Sequence, residues 1–177
     1  MKKLLNQSIS SNKKLNFKKD KFQTLIIGVS EAKKLDGDLK TIDEVSNGTI
    51  KKLISREEIT GKIGNSVYLP TISGVNSEKS YFIGLGKKNK KISEVEYFKI
   101  CQSISSAALA AKTSSVKIVI PEISVENRET SWTVEVLGRH LEASSYQYFF
   151  KGKKNQPKNI LKKVEVFIDS KKVGLSS

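Results

Sequence analysis

Hydrophobic positions fall into short runs separated by longer polar stretches, and the spacing alternates between two kinds. Thr24-Leu25-Ile26-Ile27-Gly28-Val29 is a compact, branched, apolar run closed by a polar segment, the pattern of a strand buried on both faces. Asp36-Gly37-Asp38 follows as a turn with an N-cap, and Leu39, Ile42 and Val45 then recur at helical spacing. Asn47-Gly48 interrupts that helix, and Ile50, Leu53 and Ile54 continue its apolar face. The segment from Glu58 to Gly64 reads as a hairpin connection, with Gly61 and Gly64 permitting positive φ. Val67–Leu69 and Tyr81–Leu85 read as two strands joined by a polar turn around Gly74 and Asn76.

Ser93-x-x-Glu96 has the spacing of a capping box, in which the hydroxyl accepts from the third helical N–H and the carboxylate reaches back. Val95, Phe98, Ile104, Ala107, Ala108 and Ala111 are expected on the apolar face of the helix that follows. Ser115–Ile120 is the next strand, stopped by Pro121, and Trp132, Val136, Leu137 and Leu141 mark a further helix. A lysine-rich loop with Pro157 leads to a final strand, Val164–Ile168. Strands alternating with helices predict a three-layer α/β/α sandwich with a mixed, mostly parallel sheet.

Composition narrows this reading. A chain of 177 residues, 37% hydrophobic, forms a core without staples. Cys101 is the single cysteine, which excludes an internal disulfide and a Cys-rich zinc site. No apolar run approaches the ~18 residues of a membrane span, and the basic start of the chain lacks the apolar stretch of a secretory signal. A cytoplasmic protein without a membrane partner is expected.

The net charge of +14 is concentrated at the ends. Lys2, Lys3, Lys13, Lys14, Lys18, Lys19 and Lys21 face only Asp20 in residues 1–22. Lys151, Lys153, Lys154, Lys158, Lys162, Lys163, Lys171 and Lys172 face only Glu165 and Asp169 in residues 151–177. Basic ends on a near-neutral body suggest solvated tails or linkers, dividing the chain into a basic segment 1–22, a domain 23–168 and a tail or linker 169–177. Only Arg56, Arg128 and Arg139 offer forked recognition of phosphate or bases, so weak, non-specific attraction to nucleic acid is the expectation.

The search for chemistry yields no catalytic, cofactor-binding or metal-binding residue. His140, the only histidine, is expected half-buried on its helix, and Cys101 buried on the apolar face of the Ser93 helix. Gly84-Leu85-Gly86-Lys87 at a strand end resembles a phosphate loop. A Walker loop would need glycine at Tyr81 and a hydroxyl at Lys88, and a dinucleotide fingerprint would need glycine at Asn89.

The ordered segments Leu25-Ile26-Ile27-Gly28-Val29-Ser30-Glu31, Gly61-Lys62-Ile63-Gly64, Tyr68-Leu69-Pro70 with Gly74-Val75, Ser77-Glu78, Phe82-Ile83-Gly84-Leu85-Gly86-Lys87 and Pro157 before Lys162-Lys163-Val164 together resemble the N-terminal domain of the leucine (cytosol) aminopeptidase family. The loop around Phe149-Phe150-Lys151 departs from the family pattern. The resemblance implies a macro-domain-like fold in a parent that removes N-terminal amino acids with two divalent metal ions, zinc or manganese, and assembles as a hexamer. It places the metal ligands in a C-terminal catalytic domain around an Asn-Thr-Asp-Ala-Glu-Gly-Arg segment, which this sequence lacks. The chain alone is therefore expected to be inactive, with a structural, oligomerisation or active-site-access role. The alternative is a stand-alone macro-like module for ADP-ribose-type ligands or nucleic acid. Its candidate contacts are Gly84, Gly86, the Ser93 helix start and Glu31.

Overall fold

The computed structural model describes residues 5–11, 13–150 (side chains to Ser145) and 161–169. The elements run β1 (Asn6–Ser11), β2 (Phe22–Glu31), α1 (Gly37–Val45), α2 (Thr49–Ser55), β3 (Ser66–Leu69), β4 (Ser77–Lys87), α3 (Glu94–Ala110), β5 (Ser115–Pro121), α4 (Thr130–Phe150) and β6 (Lys163–Asp169). They build one six-stranded sheet in the order β1-β6-β5-β2-β4-β3. Every pairing is parallel except β3 with β4. The predicted mixed, mostly parallel α/β sandwich is therefore the observed one.

Period-two alternation in the strands divides the core between the two sheet faces. Ile26 of β2, Ile83 and Leu85 of β4, Val116, Ile118 and Ile120 of β5, and Val164 and Val166 of β6 face α3 and α4. Leu25, Ile27, Val29, Phe82, Val119 and Phe167 point the other way, onto Ile42 of α1 and Ile50 of α2. Burial on both faces explains why β2 reads as a continuous apolar run. Gln23 ties the central strands together: its side-chain oxygen accepts from the Ser114 and Ser115 amides at 3.1 and 3.0 Å.

Four local expectations change. Residues 6–11 are not a solvated tail but the edge strand β1, paired in parallel with β6. Its sequence, NQSISS, gave no apolar signal because an edge strand exposes most of its side chains. The segment is held by buried Leu5, by backbone pairing, and by Gln7 donating to the Gly138 carbonyl at 3.1 Å. Further along the same basic segment, Phe17 is buried against Phe22, with ring centroids 5.9 Å apart.

Val95 and Phe98, expected on the apolar face of α3, remain 63% and 39% exposed. The buried stripe runs instead through Tyr97, Ile100, Cys101, Ile104, Ala107 and Ala108, which keeps the i, i+3, i+4 rhythm. The Glu58–Gly64 connection joins a helix to β3 rather than two strands, and the hairpin is the β3–β4 pair that follows it. Phe149 and Phe150, expected in a loop, instead end helix α4. The Pro157 loop and residues 170–177 lie outside the described residues.

Candidate functional site

Gly84 and Gly86, the candidate phosphate-binding glycines, are in contact with the chain's own Gly61–Asn65 loop. The Gly84 amide donates to the Asn65 carbonyl at 2.8 Å, and the Gly86 amide to the Gly61 carbonyl at 2.7 Å. A Cβ on Gly84 would stand 1.9 Å from the Lys62 carbonyl oxygen. Gly86 has φ +85 and lies against the Ile63 side chain. These glycines let two backbone segments approach each other, and their N–H groups are already used.

The start of α3 is closed in a similar way. The Ser93 hydroxyl accepts from the Glu96 amide at 3.2 Å, and the Glu96 carboxylate accepts from the Ser93 amide at 2.8 Å, completing the predicted capping box. These bonds hold the Glu96 carboxyl below its usual range, so the helix start carries its own anion. Glu31 ends β2 exposed, with its backbone packed against Gly61. The four candidate contacts do not converge on a phosphate cradle.

A cleft lies elsewhere, beyond the carboxyl ends of the parallel strands. β2 is the point where the connections diverge: the chain returns through β4 on one side and β5 on the other. Ligands of open α/β sheets bind at such a switch point. A cleft of about 380 Å³ opens here over a floor that includes Ile27, Leu85, Val119 and Ile120.

Asp36, Asp38, Glu122 and Asp169 line the cleft together with Lys34, Lys87, Lys88 and Lys90. Lys88 pairs with Asp36 across the mouth. Asp36 is the predicted N-cap of α1, but its side chain makes no cap bond. Burial raises the Asp38 carboxyl above its ordinary range, and the nearby charge of Asp169 adds to the shift. Thr130 donates to Glu122 at 2.5 Å. In the sequence these carboxylates have no site role: Asp36 and Asp38 enter it only as a turn and helix cap, and none belongs to a ligand-binding motif. Their signal is positional, since each follows or ends a strand at the sheet's carboxyl edge.

His140 and Cys101 stand apart from the cleft. His140 is half-buried, with Nδ1 3.0 Å from the Val136 carbonyl and its ring 5.7 Å from Phe98. Cys101 is buried, and burial pushes its thiol up to about 12. Such a thiol is protonated and inert at neutral pH. Among the described residues, no group of three or more His, Cys, Asp or Glu side chains is placed to hold a metal ion. The described residues do not fit a bimetallic centre.

The fold defines a class: an α/β/α domain of macro-like architecture. The macrodomain of Mycobacterium tuberculosis DarG superposes with a TM-score of 0.58 at 11% identity, covering 92% of this chain and 97% of that one. A tomato leucine aminopeptidase mutant gives a TM-score of 0.66 at 17% identity, covering 100% of this chain and 34% of that one. At these identities the likeness concerns the fold.

Sequence similarity supplies the family. The profile of the cytosol aminopeptidase family, N-terminal domain, matches residues 26–155. A probable cytosol aminopeptidase of Pasteurella multocida is 32% identical over 133 residues, 75% of this chain and 27% of that protein. A cytosol aminopeptidase of Haemophilus influenzae is 27% identical over 131 residues, 73% of this chain and 26% of that protein. The chain belongs to the cytosol aminopeptidase family and corresponds to its N-terminal domain. It spans under a third of the length of these relatives.

Proposed function

We propose that the chain is the non-catalytic N-terminal domain of a metal-dependent leucyl aminopeptidase, with an architectural role. The observation that carries this reading is the family match over residues 26–155 in a domain whose described side chains assemble no metal group. Metal-assisted peptide hydrolysis needs an activated water and electrophilic stabilisation of the developing oxyanion. In this reading both belong to a C-terminal catalytic domain, with two zinc or manganese ions. The N-terminal domain packs against that domain, shapes access to its active site and contributes to a homo-oligomer, a hexamer in the parent family.

The setting is cytoplasmic in this proposal. The relatives' names and the absence of a described helix long and apolar enough to cross a membrane are compatible with it. The charge of +14 adds weak, salt-sensitive attraction to polyanions and no sequence preference. An ADP-ribose role draws less support, because the Gly84 and Gly86 amides are engaged and carboxylates line the cleft.

Reading the gene past the codon for Ser177 tests the proposal. A continuing frame that encodes an Asn-Thr-Asp-Ala-Glu-Gly-Arg segment is the expected result. A gene product that closes without any such segment would overturn it.

A further inference from the structure

The cleft at the sheet's carboxyl edge is lined by carboxylates and lysines together with apolar strand ends. Asp38, in the first turn of α1, and Asp169, ending β6, supply two of the carboxylates; among the described residues neither has an ion-pair partner. Lys87, which ends β4, and Lys90, on the connection from β4 to α3, also line the cleft without ion pairs among the described residues, the charge of Lys90 acting at longer range on Glu96. The one cross-cleft pair, Lys88 with Asp36, lies at the mouth. From β6 to β4 the sheet order counts three steps, which is roughly 14 Å at ordinary strand spacing. An aspartate reaching from one side and a lysine from the other leave room for a small molecule with charged groups of both signs.

An anion alone would meet the unpaired carboxylates of Asp38 and Asp169, and a cation alone would leave Lys87 uncompensated. A body that is polar throughout would waste the floor of Ile27, Leu85 and Ile120. We propose that this cleft binds a small zwitterion with an apolar body, of the class of free aliphatic α-amino acids. The ammonium lies at Asp38 and Asp169, the carboxylate faces Lys87 and Lys90, and the aliphatic chain covers the floor. This inference concerns the cleft alone and stands whether or not the peptidase reading does.

Chemical-shift titration of the ¹⁵N-labelled chain tests it with four probes: L-norleucine, hexylamine, hexanoate and ADP-ribose. Norleucine is expected to shift the Gly37, Asp38, Lys87 and Ile120 amides saturably in the millimolar range. Hexylamine and hexanoate, each lacking one charge, are expected to bind at least about tenfold more weakly, as loss of a charge-assisted contact implies. Asp38→Asn and the double variant Lys87→Gln/Lys90→Gln are each expected to weaken norleucine by a similar factor, with spectra that otherwise remain native. No saturable norleucine shift would overturn the proposal. So would hexylamine or hexanoate matching norleucine, or ADP-ribose shifting the same amides more tightly. Full norleucine affinity in a folded Asp38→Asn chain would overturn it as well.

Discussion

Replacing Gly84 by alanine tests the claim that the glycines of the β4 terminus serve packing rather than ligand binding. The new Cβ would meet the Lys62 carbonyl oxygen at 1.9 Å, the Lys62 carbonyl carbon at 2.7 Å and the Gly61 carbonyl carbon at 2.9 Å. All three are backbone atoms, so no side chain can rotate away; the loop itself must withdraw by more than an ångström. Three hydrogen bonds cross this contact: Gly84 to Asn65 at 2.8 Å, Gly64 to Gly84 at 3.0 Å and Gly86 to Gly61 at 2.7 Å. At roughly 1 kcal/mol each, their loss costs about 3 kcal/mol. For a domain of this size that lowers the thermal midpoint by roughly 6–12 °C. Gly48→Ala is the control: no atom lies within 4 Å of its Cβ, although φ is +77. The left-handed backbone alone costs roughly 1–2 kcal/mol there. Urea unfolding followed by circular dichroism measures both. The reasoning fails if Gly84→Ala destabilises no more than Gly48→Ala.

Three further predictions address the rest of the structure. Ser93→Ala removes the hydroxyl that caps α3 and should cost about 1 kcal/mol in the same unfolding assay. The Glu96 carboxyl is held low by its bonds to Ser93, so its contribution is present above pH 4.5 and is lost as the pH falls through the folded value. Ser93→Ala removes the hydroxyl's bonds to the Glu96 amide and carboxylate but leaves the Ser93 amide's bond, so only the carboxylate share of its penalty should shrink in acid, and a penalty near zero at pH 7 would refute the capping account. Asp38 behaves with the opposite sign: its folded carboxyl lies above 3.8, so its charge opposes folding at neutral pH and protonation relieves this. Asp38→Asn should raise the melting temperature at pH 7, with the gain fading as the pH falls toward 3.8. Cys101 stays protonated in the fold up to about 12, while an unfolded thiol ionises near 9.0; its contribution is full below pH 9.0 and declines above it. Ellman's reagent at pH 8 should label Cys101 only in denaturant, and rapid labelling of the native chain would contradict its burial.

Strands buried on both faces were legible because Leu25–Val29, Ser115–Ile120 and Val164–Ile168 each concentrate branched apolar residues. The capping box was legible because its chemistry is local to four residues. β1 was hidden for the converse reason: Asn6–Ser11 gains its place from backbone pairing with β6, an interaction more than 150 residues away in sequence. The Val95 and Phe98 assignment failed because helical spacing alone did not fix which of several apolar stripes meets the sheet. Tyr97, whose hydroxyl donates to the Thr133 carbonyl, takes the inner position instead. The cleft escaped notice because its charged groups come from the ends of separate elements. Asp38 and Asp169 are brought together only by the sheet order β6-β5-β2 and the docking of α1.

The measurement that bears most directly on an architectural domain is hydrolysis of leucine p-nitroanilide by the purified chain, with manganese or zinc supplied. Absorbance should not rise above that of the metal-only blank. Metal-dependent turnover that co-elutes with the chain and survives repurification would mean that these residues hold a catalytic centre after all.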